Sequence, residues 1–194
     1  MYQKYRRFRN EKFEFSIDYP FDWVVKEESM SNSITFSAAE DYMEKIDKDT
    51  AAQLKEDNSV FPSLIITVTP VDINNSDINS FCDETLNNLR ENLHDLNIER
   101  KRMYLWDESY CAEIIYNGVT IQGNKVRGMQ WAVEVENNLF YLNFSSSKYD
   151  FNMILKDFYD IRNSFVVDKV ISDYGEKGLN IDKNCKDLKS AFCS

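Results

Sequence analysis

The sequence predicts an α+β domain with a largely antiparallel sheet, and three observations lead to this prediction. Apolar and polar residues alternate in several short segments, which is the period of a half-buried strand. Two longer segments, 78–96 and 151–161, instead repeat apolar residues at helical spacing. Along the chain the order is strands, helix, strands, helix. That order is typical of an α+β arrangement.

Composition excludes several classes of protein. The 194 residues are enough for one well-buried domain, and 43% hydrophobic residues with 14% aromatics indicate a globular chain. A formal net charge of −10 argues against a nucleic-acid binder, which needs a basic surface. No apolar run approaches the length of a membrane span or a signal peptide. The four scattered cysteines suit a reducing compartment, so we expect a cytoplasmic protein; whether Cys185 and Cys193 pair under oxidation is left open.

The first predicted strand is the most distinctive segment. Its apolar residues alternate with polar ones: Phe13, Phe15, Ile17 and Tyr19. Pro20 ends it, since proline has no N–H for the ladder, and Trp23 opens the next strand. Residues 1–12 form a basic N-terminal arm whose aromatic residues we expect to pack on the domain, although a membrane-surface helix is conceivable.

The following segments alternate between clear and ambiguous patterns. Residues 33–37 read as a third strand, and 62–71 as an interior strand covered on both faces. Between them, 38–59 is an acidic insertion that forms either a modest helix or a mobile loop. Its carboxylates do not predict an EF-hand calcium loop, because the segment has no glycine for the turn.

Two helices frame the second group of strands. The first begins at an N-cap, Ser76 or Asp77, and runs for roughly four turns. Its buried side comprises Ile78, Phe81, Cys82, Thr85, Leu89, Leu93 and Leu96. Strands are predicted at 97–106, 110–116, 125–135 and 139–145, with a tight hairpin at 136–138. The second helix begins at Asp150 and buries Phe151, Ile154, Leu155, Phe158 and Ile161; residues 168–194 are a polar C-terminal tail.

Residues 13–23 fit the pattern F-x-F-x-x-x-Y-P-x-x-W, whose fixed positions are Phe13, Phe15, Tyr19, Pro20 and Trp23. This resembles the opening of the PsbP-like superfamily, which includes Ran-binding Mog proteins and bacterial DcrB-like proteins. The resemblance extends to the final hairpin, helix and Ser-Phe pair, covering 13–167 as one PsbP-like domain. It implies an α/β/α sandwich. The chain departs from the family at Asp22, where glycine is common, and in the insertion 38–59.

No catalytic, cofactor or metal site is predicted. His94, the only histidine, is placed near the end of the first helix without local metal-ligand partners. Gly118 and Gly123 with Lys125 nearly match a phosphate-binding loop, but the spacing differs and a strand follows, so they are read as turn glycines. Cys82 and Cys111 lie on predicted buried faces.

The remaining surface features point to binding. The basic segment 99–102 is read as an edge strand guarded by charge, and most of Tyr104, Trp106, Tyr116 and Trp131 as core. Characterised members of the resembled family dock on other proteins. We therefore expect a non-enzymatic binding or accessory protein with a protein partner of unknown identity. The alternative is a small-ligand binder or enzyme whose site combines residues distant in sequence. Partner-binding residues and oligomeric state are not predicted.

Overall fold

The computed structural model describes residues 4–27, 32–39, 60–71, 78–106, 109–147 and 151–168. The elements, in order, are β1 Tyr5–Asn10, β2 Phe15–Pro20, β3 Trp23–Glu27, β4 Ser33–Ala38, β5 Ser63–Pro70, α1 Ile78–Asn92, β6 Leu93–Trp106, β7 Ser109–Thr120, β8 Lys125–Val135, β9 Asn138–Ser147, α2 Phe151–Asn163 and β10 Val166–Val167. Several predicted features lie outside the described residues: most of the acidic insertion (40–59), the N-cap candidates Ser76 and Asp77, the helix start at Asp150, and the tail beyond Asp168.

Seven strands form the main sheet, in the order β3-β4-β5-β9-β8-β7-β6, and three form a small sheet, β1-β2-β10. Every recorded strand pair is antiparallel. This confirms the predicted α+β fold class. Pairing of β1 with β2 also extends the described fold upstream of residue 13, where the sequence placed the arm boundary.

The main sheet lies between two apolar layers. On one face, α2 and the small sheet cover a large core that includes Phe15, Trp131 and Phe158. On the other face, α1 packs over Ala112 and Ala132 and over a second cluster around Leu89 and Ile114. The alternation of inward and outward residues along β7 and β8 supplies both layers from the same strands.

Three sequence expectations need correction. The first helix ends at Asn92, so Leu93 and Leu96 belong to β6, where strand pairing with β7 replaces the helical backbone. His94 is exposed in β6, just after α1 ends at Asn92, in agreement with its predicted place near the end of the first helix. Strand β5 is interior but not covered on both faces among the described residues, because Ile65 is exposed. Only Gly123 lies in a turn, with φ of 87°; Gly118 lies within β7.

Candidate functional site

The candidate site lies at one edge of the main sheet, on the basic segment that the sequence marked. β6 is the outermost strand, and within the described ranges no strand pairs with its outer side, which confirms the edge-strand prediction for 99–102. Side chains of successive residues point to opposite faces. Arg100 and Arg102 lie on the α2 face, whereas Lys101 lies on the α1 face, with its Nζ 3.8 Å from Asp83 Oδ1 of α1.

A buried carboxylate organises the arginines on the α2 face. Glu113 of β7 is directly opposite Arg102 in the strand register, and its side chain is fully buried. Arg102 Nε lies 3.0 Å from Glu113 Oε1, and Arg102 Nη2 donates to Oε2 at 3.1 Å. Arg100 Nη2 lies 3.0 Å from Oε1. Arg162, from the last turn of α2, donates from Nη1 to Oε2 at 2.7 Å.

Aromatic residues hold these guanidinium groups in place. The Tyr104 hydroxyl accepts hydrogen bonds from Trp131 Nε1 at 2.9 Å and from Arg162 Nη1 at 3.1 Å. Arg100 Nη2 donates to the Tyr159 hydroxyl. The Arg102 and Arg162 guanidinium groups lie 4.9 Å and 4.8 Å from the ring centres of Tyr104 and Tyr159, within cation–π range. Each charged group in the site is thus fixed by at least two neighbours.

Two groups of the site, Tyr104 and Arg102, have raised pKa values. Burial raises the pKa of Tyr104 to about 12, and the Glu113 charge adds to this effect while Arg162 opposes it. Burial alone would lower the pKa of Arg102. Its hydrogen bond to Glu113 and the charge of that carboxylate outweigh the burial, so the pKa is raised. Tyr104 is therefore neutral, and Arg102 is charged.

The site carries more positive than negative charge. Three guanidinium groups face one carboxylate, and in the described part of the chain Glu113 is the only acid paired with any of them. Formally this leaves a charge of 3 − 1 = +2. The Arg162 side chain is only 11% exposed, and its remaining donors bond to Asn163 Oδ1. Arg102 and Arg100 are 37% and 42% exposed, so they carry the surplus charge to the surface.

Such an arrangement is suited to binding anions. Arginine presents several donors in a rigid fork that matches carboxylate geometry, and it stays protonated at any physiological pH. For the same reason it is a poor proton donor or acceptor in catalysis. The structure leaves His94 exposed in β6 and Cys82 of α1 buried against the sheet, whereas Cys111 is buried directly opposite Tyr104 in the strand register. Burial of the cysteines agrees with the sequence prediction.

Other features of the described residues bear on ligand chemistry. No three side chains among histidine, cysteine, aspartate and glutamate in the described segments are grouped to hold a metal ion. Neither described helix has the length and hydrophobicity needed to cross a membrane.

Sequence reasoning identified Arg100 and Arg102 as a basic patch but missed Glu113 and Arg162. One signal was present in the sequence. Glu113 is at an inward position of its strand, and the residues next to it along the chain are apolar. An inward carboxylate requires a cationic partner, because burying an unpaired charge is very unfavourable. The sequence does not say which cation that is, since Arg162 lies 49 residues away.

Comparisons with known proteins show which solved structures have a similar fold. Neither the family models nor the sequences of curated proteins match this chain. Among solved structures, it is similar to cyanobacterial PsbP (CyanoP) from Synechocystis sp. PCC 6803, with a TM-score of 0.60 and 11% identity over 84% of this chain and 92% of that one. It is also similar to LpqN of Mycobacterium tuberculosis, which is involved in cell envelope biogenesis. The TM-score is 0.56 and the sequence identity 11%, over 84% of this chain and 91% of that one.

A third similar structure is PA94 of Pseudomonas aeruginosa, a protein of unknown function. Its TM-score is 0.53 and its identity 9%, over 84% of this chain and 97% of the other. At these identities the likeness concerns the fold alone. The chain has a PsbP-like fold, as the opening strand motif predicted.

Proposed function

We propose that this PsbP-like domain is a non-enzymatic binding or accessory protein that docks on another protein through Arg100 and Arg102. The observation that supports the proposal is the surplus of two positive charges at an exposed sheet edge of a chain with net charge −10. A partner that presents aspartate or glutamate side chains would neutralise that surplus. Nucleic acid is disfavoured, because a chain with a net charge of −10 repels a polyanion.

The surplus is more than the buried carboxylate requires. Arg162 is almost buried and donates directly to Glu113, so it can neutralise that charge by itself. Arg100 and Arg102 are more exposed, and arginines of this kind are enriched among the residues that dominate binding energy at protein interfaces. The aromatic and carboxylate contacts hold their guanidinium groups before a partner arrives, which lowers the entropic cost of docking.

Co-purification with site-directed variants tests the proposal. The tagged protein is purified from its native cell as the wild type, as Arg100→Gln/Arg102→Gln, and as Lys26→Gln/Arg90→Gln. The last variant loses the same charge from exposed residues on β3 and α1. We expect a partner protein to be retained by the wild type and the control and to be lost from the site variant.

Each outcome has a defined meaning. Thermal unfolding of all variants shows whether loss of binding reflects loss of fold, and Arg100→Gln alone serves as the milder variant because Arg102 and Arg162 still face Glu113. Equal retention by the site and control variants would contradict docking at this site. A small dicarboxylate that stabilises the wild type but not Arg100→Gln would instead favour the small-ligand alternative.

A further inference from the structure

We propose that the partner docks by adding an extended segment to the outer edge of β6, with which no described strand pairs. Acidic residues of that segment would lie beside Arg100 and Arg102, and apolar residues beside Met103 and Leu105. This inference rests on the proposed function and specifies its binding mode. In such strand addition, main-chain hydrogen bonds supply affinity and alternate side chains supply specificity.

The two halves of β6 differ in how well they could accept another strand. The first half is irregular: register shifts occur between His94 and Asn97 and between Ile98 and Arg100, and Asp95 has a φ of 50°. Bulges of this kind are a common protection against edge pairing. From Arg100 to Trp106 the pairing with β7 is regular, with seven consecutive residue pairs. The second half therefore has the regular register that strand addition needs.

Residues 103–106 also lack chemical protection against pairing. Edge strands are commonly guarded by lysine, proline or inward-pointing charge. The segment Met103-Tyr-Leu-Trp106 has no charged residue and no proline. On the α2 face it is preceded by Arg100 and Arg102, whose partly exposed positive charge disfavours pairing with a basic segment but not with an acidic one. Charge guarding, the reading that the sequence favoured, therefore applies to the first half of β6 and to Lys101.

The two faces of this half present different chemistry. On the α1 face, Met103 and Leu105 are 38% and 41% exposed, and Tyr110, opposite Leu105 in the register, is 63% exposed. On the α2 face lie the two arginines with surplus charge. An added strand must match both faces, because its successive side chains also point to opposite sides.

The register gives a sequence for the added strand. All recorded pairs in this fold are antiparallel, so an antiparallel addition is the natural extension of the sheet. In that orientation the added strand, read from its N-terminus, first places apolar residues opposite Leu105 and Met103. It then places acidic residues opposite Arg102 and Arg100. Leu-Thr-Val-Glu-Thr-Glu satisfies this pattern. A second copy of this chain fits less well, because its own β6 would bring a second cluster of surplus positive charge.

Fluorescence anisotropy with the labelled peptide Leu-Thr-Val-Glu-Thr-Glu tests this binding mode. We expect saturable binding to the full chain, weakened about tenfold or more when both glutamates are replaced by glutamine or when the protein carries Arg100→Gln/Arg102→Gln. Two further peptides carry N-methyl groups on the odd or the even residues. Only alternate amides of an added strand face the sheet. One methylated peptide should therefore lose binding, while the other keeps it.

The controls separate this inference from the proposed function. Leu105→Lys should abolish peptide binding, because it adds a guarding charge to the edge, whereas Lys26→Gln/Arg90→Gln should leave it unchanged. Equal binding of both methylated peptides would refute strand addition while leaving docking through the arginines intact. The same conclusion follows if no peptide binds although the native partner still requires Arg100 and Arg102. A dimer of the wild-type chain that Leu105→Lys dissociates would show that the edge pairs with a second copy, contrary to this inference.

Discussion

Replacing Glu113 by glutamine should destabilise the fold strongly, because it removes the carboxylate that faces three guanidinium groups. Glutamine keeps the shape of the side chain but not its charge. Arg162, with 11% of its side chain exposed, would then remain nearly buried without a counter-charge. Breaking a buried ion pair by removing one partner typically costs about 3–5 kcal/mol. The partly exposed Arg100 and Arg102 add less, since water screens them.

This cost is a large part of the stability of a domain, which is typically about 5–15 kcal/mol. For a chain of this size, about 2–4 °C is lost per kcal/mol, so the melting temperature should fall by roughly 6–20 °C. Urea unfolding followed by tryptophan fluorescence measures the change in free energy. Glu84→Gln, the same substitution at an exposed position of α1, is the matched control and should change it by less than about 0.5 kcal/mol.

A second substitution makes the reasoning refutable. In Glu113→Gln/Arg162→Met the unpaired buried cation is also removed, and replacing an entire buried pair by apolar groups is often close to neutral. The double variant should therefore be more stable than Glu113→Gln alone. If Glu113→Gln unfolds within about 1 kcal/mol of the wild type, or if Arg162→Met makes it worse, the buried ion pair does not support the fold as argued.

Three further predictions concern the rest of the fold. Phe15→Ala should cost about 3–5 kcal/mol in urea unfolding, since its ring is buried against Phe140 and Phe165, whereas Phe21→Ala, at a 52% exposed residue, should cost far less. Burial raises the pKa values of Tyr104 and Tyr116 from 10 to about 12. The folded state therefore holds these protons more tightly. The stabilisation that the two neutral tyrosines contribute should be fully present below pH 10 and be lost as the pH rises through 12; Tyr116→Phe should reduce that loss, and an unchanged loss would contradict it. In a variant with Cys185→Ser and Cys193→Ser, the buried Cys82 and Cys111 should react with a thiol reagent only on unfolding; rapid labelling of the folded protein would disagree.

Local patterns in the sequence were sufficient for most of the fold. The alternation around Phe15 and Ile17 and the helical spacing from Phe151 to Ile161 both reflect which side of an element faces the core, and both were confirmed. The pattern misled at Leu93 and Leu96, which continue the helical spacing of Leu89. They do pack beside Leu89, but from a strand, because β6 gains its hydrogen bonds from β7. Burial was readable from the sequence there, whereas backbone conformation depended on a distant partner.

The site was less predictable for the same physical reason. Glu113, Arg102 and Arg162 come from two strands and a helix, and only the register of β6 with β7 and the position of α2 bring them together. The neighbouring residues of segment 99–102 did indicate a local basic patch in a chain of net charge −10. They could not indicate that Glu113 and Arg162 join it, because that depends on long-range pairing.

Stability alone does not account for the number of arginines at Glu113. One buried guanidinium neutralises one carboxylate, and Arg162 does so from α2 with further bonds to Tyr104 and Asn163. Arg100 and Arg102 also contact Glu113, but the three guanidinium groups around one carboxylate repel one another. Departures from an optimal balance of charge are expected at functional sites, where a ligand can relieve the unfavourable term. An acidic partner would relieve it here, because its carboxylates restore the balance of charge at the β6 edge.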